Sequence, residues 1–318
     1  MTGAGRRPPP DGERRFPVIG RLDLRLTLGI HQRGRGDPAL RFEVSGSAWR
    51  ASRTPAGPVT LLLEQVDGSV RVRAWGPGTA WALAQADQLI GLDDDPASLV
   101  ARDPAVAAAQ RRLAGLRIGR TARVIEALVP AILEQKITGE EARRAYRGLV
   151  KLAGEGAPGG FGLRLPPDPA MLARLPYHAF HPVGIERRRA SLIRAVCHEA
   201  DRLERLGQAA ALPGAEEPER TAAYRALQAF PGIGPWTAAE VGIRAFGDPD
   251  AVSVGDFHLP SMVSWALAGE PRGSDERMLE LLEPYRGQRG RVLRLLGLAG
   301  MEAPRRGPRM PTRRIDRL

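Results

Sequence analysis

The chain has 318 residues, a formal net charge of +11 and 43% hydrophobic residues. This length and composition predict a soluble globular protein of two or three domains, because the chain is long enough to bury a hydrophobic core. No apolar run is long enough to span a bilayer and no signal-peptide segment is present, so we expect a monomer in a bacterial cytoplasm.

The positive charge is almost entirely arginine, because Lys136 and Lys151 are the only lysines. Residues 1–16 carry +2 and residues 301–318 carry +4, which leaves +5 on the body between them. A sequence pI near 10.9 favours a polyanionic partner such as nucleic acid. Charge alone supports such a partner without identifying it.

Cysteine and histidine usage argues against bound metals. Cys197 is the single cysteine, which excludes an internal disulfide and a cluster held by four thiolates. None of the five histidines forms a pair with convincing zinc spacing, and His178 and His181 fall in a proline-flanked loop. We therefore expect no metal site and no cofactor.

The N-terminal third is β-patterned. Residues 1–18 are rich in Pro and Arg and predict a disordered basic arm. Alternating leucines over residues 22–28 predict a strand, and shorter strands are expected at 40–44 and 49–53. A hairpin is predicted over residues 61–74, with its turn at Asp67-Gly68, followed by a helix at 79–89. We assign residues 19–95 to an N-terminal α/β domain.

Three consecutive aspartates, Asp93, Asp94 and Asp95, stand before Pro96. They favour a carboxylate-capped helix from about Ala97 over a metal or acid cluster. From there the pattern is helical, and we assign residues 96–302 to a helical domain and residues 303–318 to a basic tail. Breaks are predicted near residues 115–119, 154–169, 176–184 and 212–218.

The most informative segment is residues 227–246. It reads as a helix, a tight turn at Pro-Gly-Ile-Gly over residues 231–234, and a second helix beginning at Pro235. Gly232 and Gly234 permit the positive φ angles of such a turn, and proline suits a first helical position. The turn therefore presents unpaired backbone N–H groups to an anion such as a phosphate.

This hairpin, followed by an apolar helix and by Asp256, resembles the helix-hairpin-helix DNA glycosylase superfamily, and most closely its 3-methyladenine DNA glycosylase II branch. Segments at 131–138, 184–193 and 284–292 also resemble that family, so the likeness spans roughly residues 20–300. It implies an α+β fold, in which an N-terminal antiparallel sheet with helices precedes a two-lobed helical domain. The active-site cleft would lie between the lobes.

The resemblance implies roles for individual residues. The residues implied to bind DNA backbone are Gly232, Ile233, Gly234, Pro235 and Thr237. The carbonyls of Phe230 and Ile233 form a candidate site for a monovalent cation. Lys136, with Gln135 before it, would fill the space left by a flipped base; the alternative is an ordinary exposed lysine at a helix end.

In the same family the carboxylate matching Asp256 is catalytic, and it would stabilise the cation that develops on the sugar. The alternative is a helix N-cap before residues 257–266, and the two roles are compatible. The candidate base pocket consists of Trp236, Glu240 and Leu296. Trp236 would stack on a cationic base; the alternative is a helix-packing tryptophan. Glu240 stands where close family members have an aromatic residue.

The implied function is base excision repair, in which a damaged base, most simply an alkylated purine such as 3-methyladenine, is flipped out of double-stranded DNA and hydrolysed away. Family members with lyase activity carry a lysine at the position of Trp236, so we expect a monofunctional enzyme. Two alternatives remain open. One is the same fold acting on deaminated or crosslink-derived bases; the other is a non-catalytic binder of DNA backbone.

Overall fold

The computed structural model describes residues 8–212 and 217–304. A five-stranded antiparallel sheet precedes a large helical region. The strands are β1 (Gly12–Pro17), β2 (Leu40–Phe42), β3 (Ala48–Thr54), β4 (Gly57–Val66) and β5 (Ser69–Trp75), in the spatial order β1-β5-β4-β3-β2. The predicted hairpin is confirmed: Asp67 and Gly68 both have positive φ and join β4 to β5, as a two-residue hairpin turn requires.

The described helices are α1 (Leu24–Leu28), α2 (Thr79–Ala84), α3 (Ala86–Leu89), α4 (Pro104–Arg112), α5 (Val124–Glu134), α6 (Gly139–Ala153), α7 (Pro169–Arg174), α8 (Tyr177–Phe180), α9 (Arg187–His198), α10 (Ala200–Ala210), α11 (Glu217–Gln228), α12 (Pro235–Val241), α13 (Leu259–Ala268), α14 (Asp275–Leu282) and α15 (Arg289–Leu298). A π-helical turn at Gly242–Phe246 extends α12. The predicted α+β class is confirmed. None of these helices has the length and apolar character that crossing a membrane demands.

Two predictions for the N-terminal region are wrong. Residues 12–17, assigned to a disordered arm, form β1 and pair with β5 from Gly12↔Ala74 to Pro17↔Ser69. Residues 24–28, assigned to a strand, form α1, because Leu24, Thr27 and Leu28 are its buried positions and follow helical spacing. The side chain of Asp23 caps this helix by accepting from Leu26 N. The rest of the predicted arm, residues 1–7, lies outside the described residues.

The aspartate run before Pro96 behaves as a cap, but the helix predicted from Ala97 is only a single 3-10 turn. Asp95 accepts from Ala97 N, and the first full helix, α4, begins at Pro104. Asp93 and Asp94 instead pair with Arg120 and Arg291 of the helical region. Sequence spacing could not reveal those partners, which are distant in the chain. The tail from residue 305 lies outside the described residues.

The helical region has two separate apolar cores. The larger core is formed by residues of α5, α6, α7, α9, α10, α11 and α12. The smaller core joins α4 to α13, α14 and α15. We call the helices around the larger core the larger lobe and those around the smaller core the smaller lobe. The chain passes from the larger to the smaller lobe between α12 and α13, and Asp256 lies in that connection. The residue predicted to be catalytic therefore lies in a segment that connects the two cores.

Both faces of the sheet are covered. One face packs on α1, α2 and α3. On the other face Trp49 and Trp75 pack with Phe161, at ring-centroid distances of 4.5 and 4.6 Å from the phenyl ring. Phe161 comes from the loop between α6 and α7, so part of the helical region closes the sheet. This contact joins the N-terminal sheet to the larger lobe.

His31 lies where the N-terminal region meets the lobes, and its Nε2 is buried without a hydrogen-bond partner. Burial lowers the pKa of His31 well below 6.5, and Arg50, Arg244, Arg33 and Arg294 lower it further. The unfolded chain binds a proton below about pH 6.5 where the native histidine does not, so stability falls as the pH falls.

We expect His31→Gln to flatten this pH dependence, by about 1.4 kcal/mol of unfolding free energy per pH unit below about pH 6.5. Urea unfolding of both proteins at about pH 8 and about pH 5.5 measures the difference. If the unfolding free energy changes equally with pH in the two proteins, His31 is not the group responsible.

Candidate active site

The predicted hairpin is formed by α11, a turn and α12. Gly232 has φ of +105°, so the turn favours glycine, and a Cβ there would approach Leu192 Cδ2 at 3.2 Å, a tight contact. Ile233 is 5% exposed and packs into the larger core, which anchors the turn. Pro235 is the first residue of α12, as predicted. Gly234 precedes it without a capping side chain, and its surroundings are open.

Gln135, at the C-terminal end of α5, braces the hairpin from the side. Its Nε2 donates to Gly232 O at 3.0 Å and to Thr237 Oγ1 at 2.9 Å, while Arg189 donates to the Gln135 carbonyl. These contacts assign the Gln135 amide to the hairpin turn, and its place in a DNA wedge stays a prediction. Thr237 is 2% exposed, so its hydroxyl is part of this brace rather than a surface contact.

Lys136 follows at the joint between α5 and α6. It is exposed and has φ of +52°, an uncommon backbone conformation for a residue with a side chain. A capping box between Thr138 and Glu141 begins α6 immediately afterwards. The strained joint places the lysine beside the hairpin brace, and its role as a wedge stays a prediction.

Asp256 ends a tight turn that begins at Ser253. Its backbone N–H donates to Ser253 O at 3.3 Å, and Gly255 has φ of +91° at the third position, as a type II turn requires. The glycine before the predicted catalytic residue is thus a requirement of the backbone. Both carboxylate oxygens of Asp275 accept from Gly255 N at 3.1 Å, which holds the turn from the side of α14.

The half-buried carboxylate of Asp256 is held by three N–H donors. Its Oδ1 accepts from His258 N at 2.7 Å and from Leu259 N at 2.9 Å, and its Oδ2 accepts from Trp236 Nε1 at 2.9 Å. The N-cap position of α13 belongs to His258 rather than to Asp256, because the helix begins at Leu259 instead of Phe257, but the Asp256 side chain still accepts from the first helical N–H. The carboxylate is thereby fixed in orientation, with one lone pair of Oδ2 left for another partner.

The indole of Trp236 connects the two predicted parts of the site. Trp236 is the second residue of α12, directly after the hairpin turn, and is half-buried. Its hydrogen bond to Asp256 spans twenty residues of sequence and joins the helix that follows the hairpin turn to the carboxylate. The arrangement joins an oriented carboxylate to the first turn of α12 through the indole side chain.

The other two predicted pocket residues are placed differently. Glu240 Oε2 accepts from Arg244 Nη1 at 2.5 Å and its Oε1 accepts from Ser253 Oγ at 2.6 Å, so both oxygens are used inside the protein. Leu296 has no exposed surface and packs in the smaller core, which corrects its assignment to a pocket wall. Helical periodicity could not distinguish a core leucine from a pocket leucine.

Sequence reasoning missed three contributors to the site: Ser253, Arg244 and Asp275. The i,i+4 spacing of Glu240 and Arg244 on one helix was an available signal for an ion pair. Ser253 and Asp275 had no local signal, because their partners depend on tertiary packing. Phe257, next to Asp256, is 84% exposed, which places an apolar ring at the surface beside the carboxylate.

No group of three or more His, Cys, Asp or Glu side chains suited to a metal ion occurs in residues 8–212 and 217–304. The candidate monovalent-cation site rests on carbonyl oxygens instead. Phe230 O accepts from Ile233 N at 2.9 Å within the turn, which leaves that oxygen one further lone pair. A cation at this point stays a prediction.

Comparison with known proteins gives one curated match, in two strains of Mycobacterium tuberculosis, named "Probable bifunctional transcriptional activator/DNA repair enzyme AlkA". The identity is 30% over 184 residues, which are 56% of this chain and 35% of the relative. The chain therefore spans about a third of the length of the curated relatives it matches. No protein-family model matches the sequence.

Solved structures match over nearly the whole chain. A 3-methyladenine DNA glycosylase from Archaeoglobus fulgidus has a TM-score of 0.74 at 21% identity, covering 89% of this chain and 97% of that one. An 8-oxoguanine glycosylase/lyase from Clostridium acetobutylicum, in complex with double-stranded DNA containing cytosine opposite 8-oxoguanine, has a TM-score of 0.67 at 14% identity, covering 90% and 96%. At these identities the likeness is one of fold.

Proposed function

We propose that this chain, which has the fold of the helix-hairpin-helix DNA glycosylases, is a monofunctional DNA glycosylase of base excision repair. It would flip a damaged base out of duplex DNA and hydrolyse the N-glycosidic bond with the help of Asp256. One observation carries the proposal: the Asp256 carboxylate is fixed 2.9 Å from the Trp236 indole N–H, directly beside the hairpin turn. On this proposal the chain works on the nucleoid of a bacterial cytoplasm, as a monomer.

Backbone N–H groups of the hairpin would hold the DNA. The first N–H groups of α12 have no intrahelical partners, and the open space around Gly234 leaves room for a phosphate. The exposed Lys136 would enter the gap left by the flipped nucleotide, with its stem filling space and its ammonium meeting phosphate or a base edge. A flipped nucleotide 5′ or 3′ to the held phosphate would then meet Asp256.

The chemistry assigned to Asp256 is electrostatic. Departure of the base develops positive charge on the deoxyribose, and a fixed carboxylate stabilises that charge where it forms. Two donors to Oδ1 and one to Oδ2 hold the group, so it needs little reorganisation during the reaction. The remaining Oδ2 lone pair would orient or deprotonate the attacking water.

The absence of lyase chemistry is a prediction from Trp236. A Schiff base requires an amine, and the indole at this position already donates to the catalytic carboxylate. We expect borohydride to trap no covalent adduct between the wild-type protein and damaged DNA under conditions in which the base is released. Trapping of a stable protein–DNA adduct would show that another amine performs the lyase step.

Alkylated purines, such as 3-methyladenine, are the substrate class that we propose first. The hydrogen bond to Asp256 fixes the Trp236 ring, and a fixed indole face attracts a positively charged methylated base. The similarity in fold to the Archaeoglobus 3-methyladenine DNA glycosylase supports this class.

Deaminated purines are a second candidate, because Glu240 and Leu296 stand where close family members have aromatic residues, which leaves fewer stacking surfaces for a cationic base. Both oxygens of Glu240 are taken up by Arg244 and Ser253, so its charge is not assigned to the base. The Clostridium neighbour is an 8-oxoguanine glycosylase/lyase, which makes an oxidised purine a useful third probe.

A base-release assay on duplexes that each carry one lesion separates these candidates. We expect free 3-methyladenine from methylated DNA, with slower or no release of hypoxanthine and 8-oxoguanine. Release of hypoxanthine alone would select the second candidate. Binding of every duplex without release of any base would identify a non-catalytic DNA binder.

A further inference from the structure

Glu240 is connected to the turn that carries Asp256. Ser253 Oγ donates to Glu240 Oε1 at 2.6 Å, and Ser253 is the first residue of the type II turn that Asp256 ends. Ser253 is 5% exposed, so this hydrogen bond is shielded from water. A shielded bond to a charged acceptor is stronger than a neutral surface bond. It therefore restrains one end of the turn.

The second oxygen of Glu240 is held by Arg244. Arg244 Nη1 donates to Glu240 Oε2 at 2.5 Å, and the two side chains are 12% and 17% exposed. Burial alone would raise the pKa of Glu240, but the Arg244 guanidinium and the hydrogen bonds from Ser253 and Arg244 hold the pKa below its usual value. Glu240 is therefore a charged acceptor at neutral pH.

The connection continues into the N-terminal region. Arg244 Nε donates to Ile30 O at 3.2 Å, and Ile30 lies in the 3-10 turn between α1 and β2. A continuous set of hydrogen bonds thus runs from the N-terminal region through Arg244, Glu240 and Ser253 to the turn of Asp256. On the opposite side Asp275 holds Gly255.

We propose that Glu240 is a positioning residue, which fixes the Asp256 turn through Ser253 and fastens it to the N-terminal region through Arg244. The inference rests on the proposed function and deepens it, because it assigns to the N-terminal region a part in aligning the reacting carboxylate. It also gives the carboxylate at position 240 a role other than contact with the base. Glu240 acts through Asp256 and touches neither sugar nor base.

The chain contains a matched control for this arrangement. Glu126 accepts from Arg50 Nη2 at 2.8 Å and from Ser52 Oγ at 2.8 Å, so it also joins an arginine to a serine between the N-terminal sheet and the helices. Ser52 is 5% exposed, the same as Ser253. The Glu126 network leads to β3 and α5 rather than to Asp256.

The experiment compares four variants of the full chain: Ser253→Ala and Glu240→Gln against Ser52→Ala and Glu126→Gln. Single-turnover excision of 3-methyladenine is measured at saturating protein, and affinity is measured with a duplex that contains a tetrahydrofuran abasic-site analogue. We expect Ser253→Ala and Glu240→Gln to slow excision about tenfold with affinity changed less than about twofold, because a misplaced catalytic group affects the rate of the chemical step.

The double variant Ser253→Ala/Glu240→Gln should lose no more rate than the worse single variant, since both changes break the same connection. The two control variants should excise within about twofold of wild type. Equal rate losses in the Ser253 and Ser52 variants, or an affinity loss as large as the rate loss, would overturn the inference.

Hydrogen exchange supplies a readout that needs no activity. We expect the peptide covering residues 253–259 to exchange faster in Glu240→Gln and unchanged in Glu126→Gln. Wild-type protein that excises none of the lesions contradicts the proposed function, and the catalytic part of this inference fails with it. Excision by wild type together with unchanged exchange and rate in Glu240→Gln contradicts the inference alone.

Discussion

Replacing Asp256 by Asn is expected to slow base excision by at least about 100-fold, because the amide cannot balance the positive charge that develops on the sugar. Single-turnover release of 3-methyladenine from a methylated duplex measures the loss. DNA affinity should change little, because the hairpin N–H groups are untouched. This is the largest effect that the structure leads us to expect from one substitution.

The same substitution preserves most of the structural role of the position. Asparagine Oδ1 can still accept from His258 N and Leu259 N at the start of α13, whereas its Nδ2 cannot accept from Trp236 Nε1, so one hydrogen bond is lost. The melting temperature of Asp256→Asn should therefore remain within a few degrees of wild type. Undiminished excision by this variant would remove Asp256 from the mechanism.

Gly234→Asp is expected to weaken DNA binding about 30-fold, which corresponds to about 2 kcal/mol. A carboxylate there would stand among the N–H groups assigned to phosphate and would repel it. Gly234 has φ of −96° and open space where a Cβ would lie, so the backbone accepts a side chain without strain. Fluorescence anisotropy with a short duplex gives the affinity.

Gly234→Asp should weaken DNA binding but increase the stability of the folded chain. Aspartate at the N-cap of α12 satisfies N–H groups that glycine leaves open and stabilises the fold by a few tenths of a kcal/mol. Gly234→Asn is the neutral control, with similar size and capping ability, and should weaken binding less than about fivefold. Equal losses of DNA affinity in Gly234→Asp and Gly234→Asn would mean that side-chain bulk, rather than charge, determines the effect.

Local backbone requirements made the hairpin predictable. Proline at a first helical position and glycine at positive φ depend on the residue and its immediate neighbours alone, and both Pro235 and Gly232 are found as predicted. The β4–β5 turn at Asp67-Gly68 was predictable for the same reason. These features carry most of the resemblance to the glycosylase family.

Elements that depend on context were predicted less well. The leucines at 22–28 alternate as in a strand, yet the capping Asp23 and the helical spacing of Leu24 and Leu28 decide for α1. Strand β1 is rich in arginine because it lies at the edge of the sheet, so its residues resemble those of a disordered arm. Composition alone does not distinguish an arginine-rich edge strand from a disordered arm.

Side-chain partners far apart in sequence were the hardest part of the site to predict. Gln135 was expected to face DNA, but its amide binds the hairpin about a hundred residues away. Leu296 was expected in a pocket and lies in a core. Glu240 was expected beside the base, whereas its oxygens face Arg244 and Ser253. In each case the determining contact comes from packing between helices.

The most direct test of the account is release of free bases by the wild-type chain from methylated duplex DNA, with the products identified by mass. We predict 3-methyladenine in solution and abasic sites in an otherwise unbroken strand. DNA that is bound but yields no free base, from methylated, deaminated or oxidised duplexes alike, would contradict the assignment of a glycosylase centre at Asp256.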